Sequence, residues 1–124
     1  MIESIQKSFV YAFAGFRLAM AQELSFKIEI ICAIVAIVLS ELLELSGLEF
    51  AAIVLSITGV LAAELFNTAL EELCDKFQPT HDPHIKKIKD LAAAAVLVIS
   101  GGAVVIGLTI FGTHLGFWVA LGAP

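Results

Sequence analysis

The chain has 124 residues, 60% of them hydrophobic and only 15% charged, with a formal net charge of −5. That length accommodates one domain, and a mean hydropathy of +0.99 excludes an ordinary soluble protein, which makes this a membrane protein. The acidic balance argues against a nucleic-acid partner, and Cys32 and Cys74, in apolar or helical surroundings without metal-type spacing, read as small core residues.

In chain order, Ile2, Ile5, Phe9, Phe13, Phe16 and Met20 recur at helical period, with Gln6, Lys7 and Arg17 off the stripe. This predicts an amphipathic helix over residues 1–24, suited to lying on a membrane surface. The same segment is too polar for the apolar region of a cleavable signal, so none is expected. Residues 27–46 form the first expected transmembrane helix, a short one whose apolar heart is Ile30–Leu39 and whose far end carries Glu41 and Glu44. Ser46-Gly47 reads as a turn. Residues 48–75 form the second transmembrane helix together with an extension beyond the interface. Phe77–His84, with Pro79, Asp82 and Pro83, is the clearest loop.

Residues 85–113 form the third transmembrane helix, and Leu91 to Thr113 contains no charge. Ala92–Ala95, Gly101, Gly102, Ala103 and Gly107 allow close helix–helix approach, either between subunits or within the chain. Trp118 suits an interfacial anchor. The expected fold class is an all-α membrane protein: an N-terminal amphipathic surface helix plus three transmembrane helices. All seven basic residues fall on one side of this arrangement: Lys7, Arg17 and Lys27 before the first span, and Lys76, Lys86, Lys87 and Lys89 between the second and third. The positive-inside rule then puts the N-terminus and the Lys76–Lys89 loop in the cytoplasm.

The stretch from Glu64 to Asp75 carries the chemistry. At about 100° per residue, Glu64, Asn67, Glu71 and Asp75 fall within a stripe of about 80°, opposite Leu65, Phe66, Leu70 and Leu73. Ionisable groups at membrane depth are costly and call for a partner or a task. Aligned carboxylates suit a hard cation such as Mg2+, and one carboxylate can act as a general base. The plain alternative is a solvated charge run on a cytoplasmic helix extension. Glu23 and Glu29, and the Lys86–Asp90 segment, could converge on the same interface and suit phosphoryl transfer. Neither a P-loop nor a kinase glycine loop is present. A small transporter subunit or proton relay using Glu64 and Glu71 is the rival reading, as is a purely structural scaffold. Transport needs a continuous polar path, and the third span offers only Ser100 and Thr109.

The run Glu64-Leu-Phe-Asn67-Thr-Ala-Leu-Glu71-x-x-x-Asp75, followed by Lys89-Asp90-Leu-Ala-Ala-Ala-Ala-Val96-Leu97, resembles the signature of the small prokaryotic diacylglycerol kinase family, which includes undecaprenol kinases. Ser8-Phe9-x-Tyr11-Ala12-Phe13-x-Gly15 and Glu23-x-x-Phe26-x-x-Glu29 extend the resemblance over nearly the whole chain. It implies an ATP- and Mg2+-dependent lipid kinase in the bacterial inner membrane, a homotrimer with sites at subunit interfaces facing the cytoplasm. It assigns the catalytic base to Glu64, metal ligation to Glu23 and Glu71, and a site role to Asn67. Contacts to nucleotide and phosphate fall to Asp75, Lys89 and Asp90, with Lys86 and Tyr11 beside them. The acceptor would be diacylglycerol or undecaprenol. Three spans can hardly enclose a lipid, ATP and metal, which gives an independent reason for oligomerisation. The chain has Asp82 where members often carry His, and Ser4 where some diacylglycerol kinases carry an arginine. Its opening motif is more similar to the undecaprenol-kinase branch.

Overall fold

The computed structural model describes residues 1–116, 120 and 122, so Trp118 lies outside the described residues. Four helices follow one another: α1 (Ile2–Gln22), α2 (Leu24–Leu42), α3 (Gly47–Phe77) and α4 (Pro83–His114). α3 and α4 form an antiparallel pair, tied at one end by Asp75 and Lys89 and at the other by Glu49 and His114. α2 packs mainly on α3, and α1 leans on α2 and α3. Residues 27–46, expected as the first span, fall in α2 and the turn that follows it. α2 begins directly after α1 and ends at Leu42, because Leu43–Ser46 form a turn in which Glu44 takes a left-handed conformation with φ 53°.

Local chemistry sets the helix boundaries. The Ser46 backbone N–H donates to Glu49 Oε2 (2.9 Å), while the Ser46 hydroxyl accepts from the Glu49 N–H, a reciprocal capping box that starts α3. Asp82 starts α4 by accepting from the backbone N–H groups of Ile85 (3.0 Å) and His84 (2.8 Å), with Pro83 in the first helical turn. Those two bonds hold the Asp82 carboxyl below its ordinary pKa. Asp82 is therefore a helix cap in this chain.

α3 and α4, at 31 and 32 residues, are long and apolar enough to cross a membrane. α2 has 19 residues, with Lys27 and Glu29 near its start and Glu41 near its end, leaving only residues 30–40 uncharged. Its rise of roughly 28 Å is close to a bilayer core, but its charges sit inside that length. Little of the chain is shielded by the rest. Among the described residues only Ala19, Phe26, Ile53 and Cys74 are buried apolar side chains, joined by Ser40 and Glu64. Large apolar side chains along every helix stay exposed, as expected where lipid or another subunit is the solvent. Cys74 is buried, but Cys32 is exposed, which corrects its reading as a core residue. Cys32 faces a groove between α2, α3 and α4 that the chain leaves open.

Candidate active site

The polar stripe of α3 runs from shielded to wet. Glu64 is buried, at 7% exposure, Asn67 and Glu71 are half-buried, and Asp75 is exposed. The opposite face points outward, with Phe66 at 78% and Leu73 at 53% exposure. At its deeper end the helix has turned Glu64, Asn67 and Glu71 toward the rest of the protein, with Phe66 and Leu73 on the uncovered side. Burial of Glu64 is a tertiary effect, since its neighbours come from the α1–α2 junction and the start of α2: it faces the carboxylate of Glu23 and the hydroxyl of Ser25, as well as Glu71 two helical turns along α3. Glu29, on α2, faces Glu64 as well.

Asn67 donates from Nδ2 to Glu71 Oε1 (3.3 Å). Glu71 in turn faces the Lys89 ammonium, which donates to Asp75 Oδ1 at 2.9 Å. A continuous polar track thus leads from Glu23 and Glu64, through Asn67 and Glu71, to Lys89 and Asp75. Lys86 and Asp90 form a separate pair on α4. Tyr11 stands 71% exposed on α1, with no hydrogen bond to these groups among the described residues. Ser25 went unassigned from sequence, and Glu29 was set beside Glu23 without a role. The acid at Glu29, just inside an apolar run, was the available signal for the second; a single serine offered none for the first.

Two buried polar atoms in this neighbourhood have no partner: Glu29 Oε2 and Asn67 Oδ1. Buried acceptors without a donor are rare and point to an absent ligand or water. No three His, Cys, Asp or Glu side chains among the described residues converge closely enough to hold a metal unaided. The donors available, carboxylates and an amide oxygen, still fit a hard divalent cation that completes its shell with water and phosphate oxygens, as Mg2+ does when bound through one or two carboxylates. Beside this cluster opens the groove between α2, α3 and α4, of about 290 Å³. Its walls are almost wholly apolar, from Glu29 at one end past Ile57 and Val60 to Phe111.

Comparison with known proteins agrees with this combination of acids and membrane helices. The family described as prokaryotic diacylglycerol kinase matches residues 10–111. The undecaprenol kinase of Bacillus subtilis (strain 168) is 38% identical over 105 residues, covering 85% of each chain. A diacylglycerol kinase of Synechocystis sp. is 37% identical over 101 residues, 81% of this chain and 58% of that protein. The diacylglycerol kinase of Escherichia coli (strain K12) is 26% identical over 112 residues, 90% of this chain and 92% of that one.

Proposed function

The chain belongs to the prokaryotic diacylglycerol kinase family and is a membrane lipid kinase, and on that premise we propose that it transfers the γ-phosphate of ATP to the hydroxyl of a membrane alcohol. The acceptor is undecaprenol or diacylglycerol, and the product undecaprenyl phosphate or phosphatidic acid. The observation that carries this reading is the Glu64 carboxylate, buried at the end of an uncharged run of helix and facing Ser25, Glu23 and Glu71.

In this reading Glu64 takes the proton of the acceptor hydroxyl as that oxygen attacks the γ-phosphorus, and ADP leaves with the bond it shared with that phosphorus. A lipid alcohol reaches Glu64 laterally, its chain remaining in the apolar layer while its hydroxyl meets the buried end of the polar track. Ser25 orients the Glu64 carboxylate. Glu23 and Glu71 would hold a Mg2+ ion, and Asn67 supports it by bonding Glu71. When bound, that cation neutralises phosphate charge. Lys89 draws the polyphosphate, exchanging the carboxylate of Asp75 for it, and Asp90, Lys86 and Tyr11 complete the nucleotide side. Glu64 and Glu71 sit at successive depths on one helix face, which matches a water-soluble donor meeting a lipid acceptor at the interface.

We read the chain as three spans, with α2 as the short one, and the site as lying at the cytoplasmic face of the bacterial inner membrane; the one-sided distribution of Lys and Arg supports this orientation. α1 then lies on the membrane surface with its Ile and Phe stripe, exposed in the single chain, in the headgroup layer. A homotrimer is supported by a contrast between glycines: a Cβ at Gly59 of α3 would meet Ile99 Cδ1 of α4 at 2.7 Å, whereas Cβ atoms at Gly101 and Gly102 of α4 would meet nothing within the chain. The small residues of α4 are thus left for a partner.

The test is transfer of label from γ-labelled ATP with Mg2+ in micelles containing either undecaprenol or diacylglycerol. Labelled lipid from one substrate assigns the acceptor, and from both makes the enzyme a broad lipid kinase. No labelled lipid from a folded, oligomeric preparation overturns the proposal.

A further inference from the structure

α1 and α2 are separated by a single non-helical residue, and that residue is Glu23, with extended backbone angles (φ −99°, ψ 114°). A candidate metal-side carboxylate therefore sits on an elbow and owes its direction to whatever sets the angle between the two helices. Local bonds brace this elbow: the Glu23 N–H donates to Ala19 O (2.9 Å), and the Lys27 ammonium reaches back to Ala21 O (3.2 Å). They define the chain path but leave the rotation of α1 against α2 open.

One side chain is placed to set that rotation. Phe26 is 0% exposed, the only fully buried large side chain among the described residues in a protein that leaves most of its apolar groups uncovered. Its ring meets Phe16 of α1 edge to face, with centroids 5.2 Å apart and planes at 78°. Ala19, next along the same side of α1, is buried too. Phe26 lies three residues after the elbow residue Glu23 and, on α2, three before Glu29, which puts it and Glu29 about 60° apart on the same side of that helix. Both flanking carboxylates face Glu64. The buried ring is thus the fixed point between two acids that must be aimed at a third.

We propose that Phe26 is a positioning residue: its ring, seated under Phe16, locks the α1–α2 elbow so that Glu23 and Glu29 face Glu64, and it thereby sets divalent-cation affinity. This rests on the reading of Glu23 as a cation-holding carboxylate. Phe26 touches no reacting group, so its loss acts on metal binding before it acts on phosphate transfer.

The experiment measures Mn2+ binding by electron paramagnetic resonance on the full chain in micelles, with a non-hydrolysable ATP analogue, alongside kinetics at varied Mg2+. The proteins are the parent, Phe26→Ala, Phe26→Leu and Glu23→Gln. Groups that orient a ligand from behind change metal affinity by roughly 10–100-fold. Phe26→Ala is expected to weaken Mn2+ binding by about tenfold, and to raise the Mg2+ concentration for half-maximal rate by a similar factor. The rate at saturating Mg2+ should fall far less. Phe26→Leu, which refills most of the space, should recover most of the affinity, and it carries the test if Phe26→Ala does not fold. Weak binding by Glu23→Gln with parental binding by both folded Phe26 variants overturns the positioning role alone. Loss of rate at saturating metal without a change in Mn2+ affinity also overturns it. Parental Mn2+ binding by Glu23→Gln removes the reading of Glu23, and the inference falls with it.

Discussion

The two ends of the helix bundle use the same side chains to opposite purposes. At the outer end Glu49 is fully occupied: one carboxylate oxygen takes hydrogen bonds from the Ser46 N–H and hydroxyl, and the other meets His114 Nε2 at 3.1 Å. A glutamate and a histidine here start one helix and fasten the end of another. At the inner end Glu64 feels the charges of Glu23, Glu29 and Glu71, and two buried polar atoms lack any donor. Hydrogen-bonding capacity satisfied within the chain is structural, and capacity left over in a shielded place is available for a ligand. Acidic residues alone do not mark a site; unmet demand does.

This division can be broken most sharply at Glu64. Glu64→Gln removes the proton acceptor while keeping shape, and kcat is expected to fall by about 10²–10⁴-fold with helicity and oligomer size unchanged. A variant retaining a tenth of parental turnover would remove Glu64 as the base and leave the inner cluster without its central member. Glu71→Ala should act on binding, raising the KM for MgATP by about tenfold with a smaller effect on kcat. An unchanged KM would make Glu71 structural, like Glu49.

The outer end should answer in stability and not in turnover. Glu49→Ala removes the capping box and the contact to His114. It is expected to lower the melting temperature in micelles by about 5 °C while kcat stays at the parental value. If turnover fell as far as in Glu64→Gln, the contrast between the two ends would fail. Between these extremes lies Asp82, whose depressed pKa makes its cap pH-dependent. Its contribution is present above the unfolded carboxyl pKa and is lost as pH falls through the lower folded value. Amide exchange at His84 and Ile85 should therefore accelerate on acidification, and Asp82→Asn should flatten that dependence. The smallest effect is expected at Glu44. Its left-handed φ of 53° costs a non-glycine residue roughly 1 kcal/mol, so Glu44→Gly should stabilise the α2–α3 turn by up to that amount, read as a higher unfolding temperature.

Much of this architecture was legible before any coordinates. An uncharged run from Leu91 to Thr113 could only be a long helix in an apolar medium, and the 80° stripe of Glu64, Asn67, Glu71 and Asp75 follows from helical geometry. The sequence shows Ser46-Gly47 only as a turn and Asp82-Pro83 only as part of a loop, whereas the structure makes Ser46 and Asp82 the caps of α3 and α4. Less legible were features that depend on where a second element lies. The break at Glu23 carries no glycine or proline, and the exposure of Cys32 depends on a groove that three helices leave between them.

Periodicity and charge spacing are properties of one segment at a time, so the sequence by itself determined which stretches are helical and which face of each is polar. It could not determine that Glu64 is buried while Asp75 on the same stripe is wet, because that difference is made by other helices packing over one end of the stripe and not the other. Nor could it show that Phe26 is, among the described residues, the phenylalanine that is wholly enclosed. Burial and the meeting of like charges are relations between segments distant in sequence, and only the packing of α1 and α2 against α3 brings them into being.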